Sequence, residues 1–160
     1  MRETVPVATI PSNGSPAPDL DLPAWVDGAE GRVRLSEHRG TPVVLAFYPG
    51  DETPVCTRQL CSYQDDLQVL TALGAEVWGI SSQDVASHER FATKRGLTFP
   101  LLADTDKAVQ KAYGVSGLFG MTKRSVFVVD GEGVVRWSHV SQVGLTYQDV
   151  DTIAGVLKGL

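Results

Sequence analysis

Two cysteines, Cys56 and Cys61, are the only thiols of the sequence, and its chemistry is read from them. They lie in the stretch Pro49-Gly50-Asp51-Glu52-Thr53-Pro54-Val55-Cys56-Thr57-Arg58-Gln59-Leu60-Cys61. The apolar run before it, Pro42 to Tyr48, is short, bounded by Pro and Gly, and rich in β-branched and aromatic residues, which predicts a buried strand. Gly50 with Asp51 and Glu52 reads as a turn. Thr53 is a good N-cap, and Pro54 suits the first helical position, where a missing N–H costs nothing. Cys56 then falls at N3. Free backbone N–H groups and the positive end of the helix dipole favour an anion there. The thiol is therefore expected to be activated towards its nucleophilic thiolate form.

The elements that must position these residues follow from periodicity. Leu60, Tyr63, Leu67 and Leu70 continue from Cys56 at helical spacing and make one apolar face, in a helix ending near Gly74. Cys61 lies about 140° around that helix, on the polar side with Asp65 and Gln68. In an intact helix the two Cα atoms stand roughly 8.5–9 Å apart by ideal geometry, beyond the roughly 7 Å limit for a disulfide. Either these thiols never pair, or the first turns unwind to let them.

The rest of the chain reads as follows. Residues 1–14 carry Pro, Ser, Asn and Gly without periodicity and are expected to be a flexible tail before one domain, 15–160. Leu22 to Val26 and Arg32 to Leu35, about the Asp27-Gly28 turn signal, predict a β-hairpin. Ser36 to Arg39 read as a short turn or helical piece. A second buried strand runs over Glu76–Ser81. Asp84 can cap a helix carrying Val85, His88, Phe91 and Ala92, closed by Gly96. Phe99 to Leu102 is extended, and Asp104 to Tyr113 is a short helix closed by Gly114. The glycine-punctuated apolar segment Ser116–Thr122 reads as a loop lying over something. Strands Ser125–Val129 and Val134–His139 form a hairpin, and an amphipathic helix runs from about Tyr147 to Lys158. A β-hairpin followed by βαβα and then ββα predicts an α/β fold, with a central mixed sheet flanked by helices on both faces.

The arrangement Pro49-x-x-x-Thr53-x-x-Cys56 resembles the active-site motif of peroxiredoxins, and a second cysteine five residues on is the spacing of their bacterioferritin-comigratory (Q-type) subgroup. Trp78-Gly79-Ile80-Ser81, Phe99-Pro100-Leu101-Leu102-Ala103-Asp104, Ala112-Tyr113-Gly114-Val115 and Lys123-Arg124-Ser125-Val126-Phe127-Val128-Val129-Asp130 resemble that subgroup too. Gln59 departs from the glutamate that relatives often carry. The resemblance implies a thioredoxin-like fold and a peroxidase of antioxidant defence and redox homeostasis, acting on hydrogen peroxide and alkyl hydroperoxides. It implies Cys56 as the attacking thiolate and Cys61 as the thiol that condenses with its sulfenic acid. Thr53 and Arg124 then hold the peroxide, Arg124 also pairs with the Cys56 thiolate, and Pro49 shields the thiolate from water. A thioredoxin or similar dithiol protein is implied as reductant, with no cofactor and no metal.

Each assignment has a plainer alternative. A buried free cysteine is ordinarily structural, but the N3 position and the Pro49/Thr53 spacing favour the chemical role for Cys56. An inert surface thiol is the alternative for Cys61. An arginine before an apolar strand is unremarkable, so the role of Arg124 rests on the resemblance. Arg58 reads as a surface charge. His38, His88 and His139 are scattered without ligand spacing. A thioredoxin-like disulfide oxidoreductase expects Cys-x-x-Cys, against which four intervening residues argue. A redox sensor, whose disulfide only changes shape for a partner, stays open.

Bulk properties bound the remaining classes. At 160 residues with a net charge of −5, the chain is one domain without a basic cluster for nucleic acid or an anionic membrane. The apolar patch Val5 to Ile10 is too small for a secretory leader core, and no run approaches a membrane span. The reading places the protein in the cytoplasm, where a cysteine pair is more often catalytic than structural. Moderate hydrophobicity together with the resemblance leans towards a monomer.

Overall fold

The computed structural model describes residues 9–141 and 146–160. Strands β1 (Asp21–Val26) and β2 (Ala29–Arg34) form the N-terminal hairpin, and a 3-10 turn, Leu35–His38, leads to β3 (Val43–Phe47). Helices α1 (Pro54–Asp65) and α2 (Leu67–Ala72) precede β4 (Glu76–Ser81), α3 (Val85–Arg95), β5 (Leu101–Ala103) and α4 (Ala108–Ala112). The chain closes with β6 (Ser125–Val129), β7 (Val135–Val140) and α5 (Val150–Lys158). The hairpin turn has Asp27 at φ 53° and Gly28 at φ 71°, as a two-residue turn with two left-handed centres requires.

The seven strands make one sheet in the order β2-β1-β5-β4-β3-β6-β7. β4 pairs in parallel with both β3 and β5. The remaining pairs are antiparallel. Every residue of β3 is buried because both sheet faces are covered. Val44, Ala46 and Tyr48 point into a cluster with Cys56, Leu60 and Tyr63 of α1, Phe91 of α3 and Ile153 of α5. Val43, Leu45 and Phe47 point the other way, to Leu35, Val109 and Tyr113. The α/β class, the mixed sheet and the helices on both faces are as the sequence predicts.

Several local expectations are corrected. The helix expected to reach Gly74 breaks at Asp66, whose φ of −108° and ψ of 18° end α1. Asp is a poor helix-interior residue because its side chain competes for the backbone. α4 starts later than expected: Lys107 has φ 63°, and the buried Asp104 carboxylate instead accepts from the amides of Val109 at 3.1 Å and Gln110 at 2.8 Å. α5 likewise starts at Val150, where the Asp149 carboxylate accepts from Thr152 N at 2.8 Å. The 116–122 segment does not lie over the core. Leu118, Phe119 and Met121 are exposed, and Gln110 holds the loop through the Gly120 carbonyl and the Thr122 hydroxyl.

The expected tail falls largely on residues 1–8, outside the described residues. Residues 9–14 lead onto the sheet: Gly14 N donates to Val135 O at 2.7 Å, and Ala17 N donates to Gly133 O at 2.8 Å. Gly114 is required where this segment passes, since its φ is +69° and a Cβ there would stand 2.6 Å from Ile10 N. Among the described residues no helix is long and apolar enough to cross a membrane.

Candidate active site

The sheet register decides which residues meet Cys56. Phe47, the last residue of β3, pairs with Ser125, the first of β6. Arg124 therefore stands level with Tyr48 at the strand end from which the turn into α1 leaves. β4 runs parallel to β3, so its exit towards α3 opens at the same edge. Ends of parallel strands are where such folds gather functional side chains.

Helix α1 begins as its sequence predicts. Thr53 is the N-cap in extended conformation, Pro54 is the first helical residue, and Thr57 N donates to Thr53 O at 2.8 Å. The amides of Val55 and Cys56 precede that first i→i−4 bond and point out of the helix start. Cys56 is fully buried, and both cysteines are free thiols. Arg124, only 3% exposed, directs Nη2 to Cys56 Sγ at 3.3 Å. Its Nη1 donates to Gln59 Oε1 at 2.5 Å. Gln59 Nε2 donates to the Tyr63 hydroxyl at 3.1 Å, which donates in turn to the Gln148 carbonyl at 2.7 Å. Burial pushes the Tyr63 phenol up to about 12, with the Gln59 hydrogen bond opposing, so Tyr63 remains a donor. A buried thiol facing a fixed guanidinium and the free amides of a helix start has two sources of stabilisation for negative charge on sulfur.

The other expected residues are placed as follows. The Thr53 hydroxyl makes no cap bond; it donates to the Gly50 carbonyl at 2.8 Å. The side-chain bond that the N-cap reading implies is thus absent, and the hydroxyl is turned back to the carbonyl of the preceding turn. Pro49 is half-buried at the end of β3, and its carbonyl accepts from Gln83 Nε2 at 3.4 Å. Cys61 is not on the polar side. It is half-buried and packs against the same apolar cluster as Cys56, while Asp65 and Gln68 are exposed. Arg58 is exposed, as expected of a surface charge.

By sequence alone Gln59 is a bare departure from pattern and Tyr63 a core residue. Their polar ends instead fix the face of Arg124 that does not meet sulfur. The spacing of Cys56, Gln59 and Tyr63, three and four residues apart on one helix face, was the available signal. His88 stands isolated in the sequence, yet its Nδ1 lies 2.7 Å from Asp51 Oδ2 in the turn before α1. No local pattern announces that pairing, because the two residues are 37 positions apart.

Fold and site together define a thioredoxin-like thiol protein, with a buried cysteine in the first turn of a helix beside a buried arginine. Residues 13–138 match the family model described as the AhpC/TSA family, and the chain belongs to that family. Chloroplastic Peroxiredoxin Q of Triticum aestivum is 45% identical over 133 residues, covering 82% of this chain and 60% of its own length. Peroxiredoxin Q of Xanthomonas campestris superposes with a TM-score of 0.77 at 29% identity, covering 88% of this chain and 90% of that one. The AhpC structure from Enterococcus faecalis shares the fold, with a TM-score of 0.86 at 24% identity over 94% of this chain and 92% of that one. The resemblance to the Q-type subgroup is borne out by these matches. The chain spans 60% of the length of the Triticum aestivum relative.

The cytoplasmic expectation is overturned. The Triticum aestivum relative is named chloroplastic, and so are those of Sedum lineare and Arabidopsis thaliana at 45% and 44% identity. The lack of an apolar secretory core speaks only against secretion, because transit segments are amphipathic and rich in Arg and Ser instead. It therefore had no bearing on a plastid address.

Proposed function

We propose that this chain is a thiol peroxidase that reduces hydrogen peroxide or alkyl hydroperoxides. The Cys56 thiolate attacks one peroxide oxygen, the O–O bond breaks, and sulfur is oxidised to a sulfenic acid. The departing hydroxide or alkoxide takes up a proton to leave as water or alcohol. Arg124 and the amides of Val55 and Cys56 stabilise the charge that develops on the oxygens. Thr53, at the N-cap, contributes its hydroxyl oxygen, and its proton becomes available if the bond to Gly50 is exchanged for one to substrate. The Cys61 thiol then condenses with the Cys56 sulfenic acid, forming the disulfide and releasing water. A thioredoxin-type dithiol reduces that disulfide by exchange and is itself oxidised. Electrons come from thiols throughout, so the cycle calls for no metal, haem or flavin.

The observation that carries this reading is the 3.3 Å approach of Arg124 Nη2 to the sulfur of a fully buried, helix-opening cysteine. Pro49 belongs to the proposal as a shape element at the end of β3. The test is peroxide-dependent oxidation of a reduced thioredoxin system by the purified protein. Many turnovers per protein are expected. A single stoichiometric oxidation without turnover would support a redox sensor instead.

A further inference from the structure

The turn that carries the reactive helix is fastened from the α3 side by groups that the proposed chemistry leaves unused. The Asp51 side chain is 3% exposed. Its Oδ1 accepts from the Tyr48 hydroxyl at 2.7 Å. Its Oδ2 accepts from the Ser87 hydroxyl at 2.8 Å and meets His88 Nδ1 at 2.7 Å. The second ring nitrogen of the fully buried His88, Nε2, faces the Leu102 carbonyl at 2.9 Å. A carbonyl oxygen only accepts, so Nε2 carries a hydrogen. A further proton lies between Nδ1 and Oδ2, since two bare lone pairs repel at that distance. While joined, the His88–Asp51 pair has no net charge. Parting it in place strands a buried polar group or ion, which is strongly unfavourable.

The backbone of the same turn is held as well. Asp51 N donates to Gln83 Oε1 at 3.0 Å, and Gln83 Oε1 also accepts from the Ser81 hydroxyl at 2.6 Å. Glu52 has a left-handed φ of 64°, and its carboxylate pairs with Arg95 at 3.2 Å. Helices α3 and α5 each start on an exposed aspartate cap, Asp84 and Asp149. The start of α1 has no side-chain cap, and this anchorage lies two residues upstream of its N-cap.

The two chemical steps make opposite demands on that placement. Attack on peroxide needs the first turn intact, with Cys56 under Arg124. Disulfide formation needs the first turns unwound, because ideal helix geometry keeps the two cysteines apart. Resting on the peroxidase reading, we propose that His88 and Asp51 are positioning residues whose joined state holds the turn at residues 49–53 and the start of α1 in the attack-competent arrangement. Parting them favours the unwound arrangement that Cys61 requires.

A general loss of stability would not separate the two steps, and this pair should. Reduced protein mixed with excess hydrogen peroxide, followed by tryptophan fluorescence, resolves a peroxide-dependent oxidation and a peroxide-independent disulfide closure. For His88→Gln, and likewise Asp51→Asn, oxidation is expected to slow by about tenfold, the scale on which a misplaced reacting group acts. Closure is expected to be as fast as in wild type or faster. Both phases at wild-type rates, or both slowed alike, would overturn the proposal. Amide exchange of the reduced proteins, with no peroxide present, reads the anchorage alone. Residues 51–57 should exchange faster in the variant while the central strands do not, and unchanged exchange there overturns the proposal whatever the kinetics show. A wild type that shows no peroxide phase would sink the peroxidase reading, and the exchange comparison would still judge the anchorage. Should His88→Gln not fold, Ser87→Ala removes one donor to the same carboxylate without a change of charge. It must give the same split on a smaller scale, and an even effect on both phases overturns the idea.

Discussion

Arg124 Nη2 reaches Cys56 Sγ at 3.3 Å across 68 positions of sequence, and the same guanidinium is braced from behind by Gln59 Oε1. The brace matters because an arginine with free rotamers loses much of its side-chain entropy on being fixed. Here Gln59, Tyr63 and the Gln148 carbonyl set its direction in advance. A preorganised cation is worth more to a developing charge than one that must reorient during reaction.

Arg124→Ala is accordingly expected to lower the rate of peroxide attack by about 10²-fold or more, as for the loss of one preorganised donor. It also leaves the buried Gln59 amide oxygen without that partner, a cost of about 1–3 kcal/mol. Stopped-flow oxidation and denaturant unfolding measure the two effects separately. An unchanged rate of attack would remove Arg124 from the site.

The cysteines are expected to divide the cycle between them. Cys56→Ser abolishes peroxidase turnover, because a hydroxyl does not ionise usefully at neutral pH. Cys61→Ser consumes one equivalent of peroxide, leaves a sulfenic acid that a dimedone-type reagent traps on Cys56, and then stalls or over-oxidises. Normal turnover by the Cys61 variant with thioredoxin would show that another thiol resolves the intermediate.

Disulfide formation is expected to melt the start of α1. Withdrawing Cys56 from its buried place breaks the first i→i−4 bonds, including Thr57 N to Thr53 O, and exposes part of the stripe at Leu60 and Tyr63. In the reduced protein the amides of residues 56–63 should be protected, and in the oxidised protein they should exchange fast while the central strands stay unchanged. Equal protection in both forms, with the disulfide confirmed by mass, contradicts the unwinding.

Alkaline pH is expected to unfold the protein through its buried phenols. Burial raises Tyr48 well above the ordinary tyrosine value, with the Asp51 charge adding to it. Burial takes Tyr63 up to about 12, and raises Tyr113 as well. A phenol whose folded value exceeds its unfolded value of about 10 stabilises the fold fully below that pH. The contribution is lost as pH climbs from there through the folded value. Tyrosinate absorbance from these residues should therefore appear together with the loss of far-ultraviolet ellipticity. A native protein already showing three ionised phenols near pH 10.5, roughly half a unit above the free value, would contradict the burial argument.

The helix start at Thr53 and Pro54, the N3 place of Cys56, the strands at residues 43–47 and 76–81, and the Asp84 cap were all legible in the sequence, whereas the side-chain cap by Thr53 did not form. Each depends on interactions within a turn of helix or along one strand, so residue type and spacing suffice to specify them. The family motif was legible for the same reason, being contiguous around Cys56. How the arginine implied by the resemblance reaches Cys56, and how His88 reaches the turn before it, was decided by tertiary structure. Arg124 arrives because β6 pairs antiparallel with β3 and sets Ser125 opposite Phe47. His88 arrives because β4 lies parallel to β3 and sends α3 back past the same edge. The half-burial of Cys61 and the exposure of Phe119 were likewise settled by which surfaces the finished sheet had left to cover. Such encounters depend on strand order and register, which are set by the packing of the whole core rather than by any short run of residues.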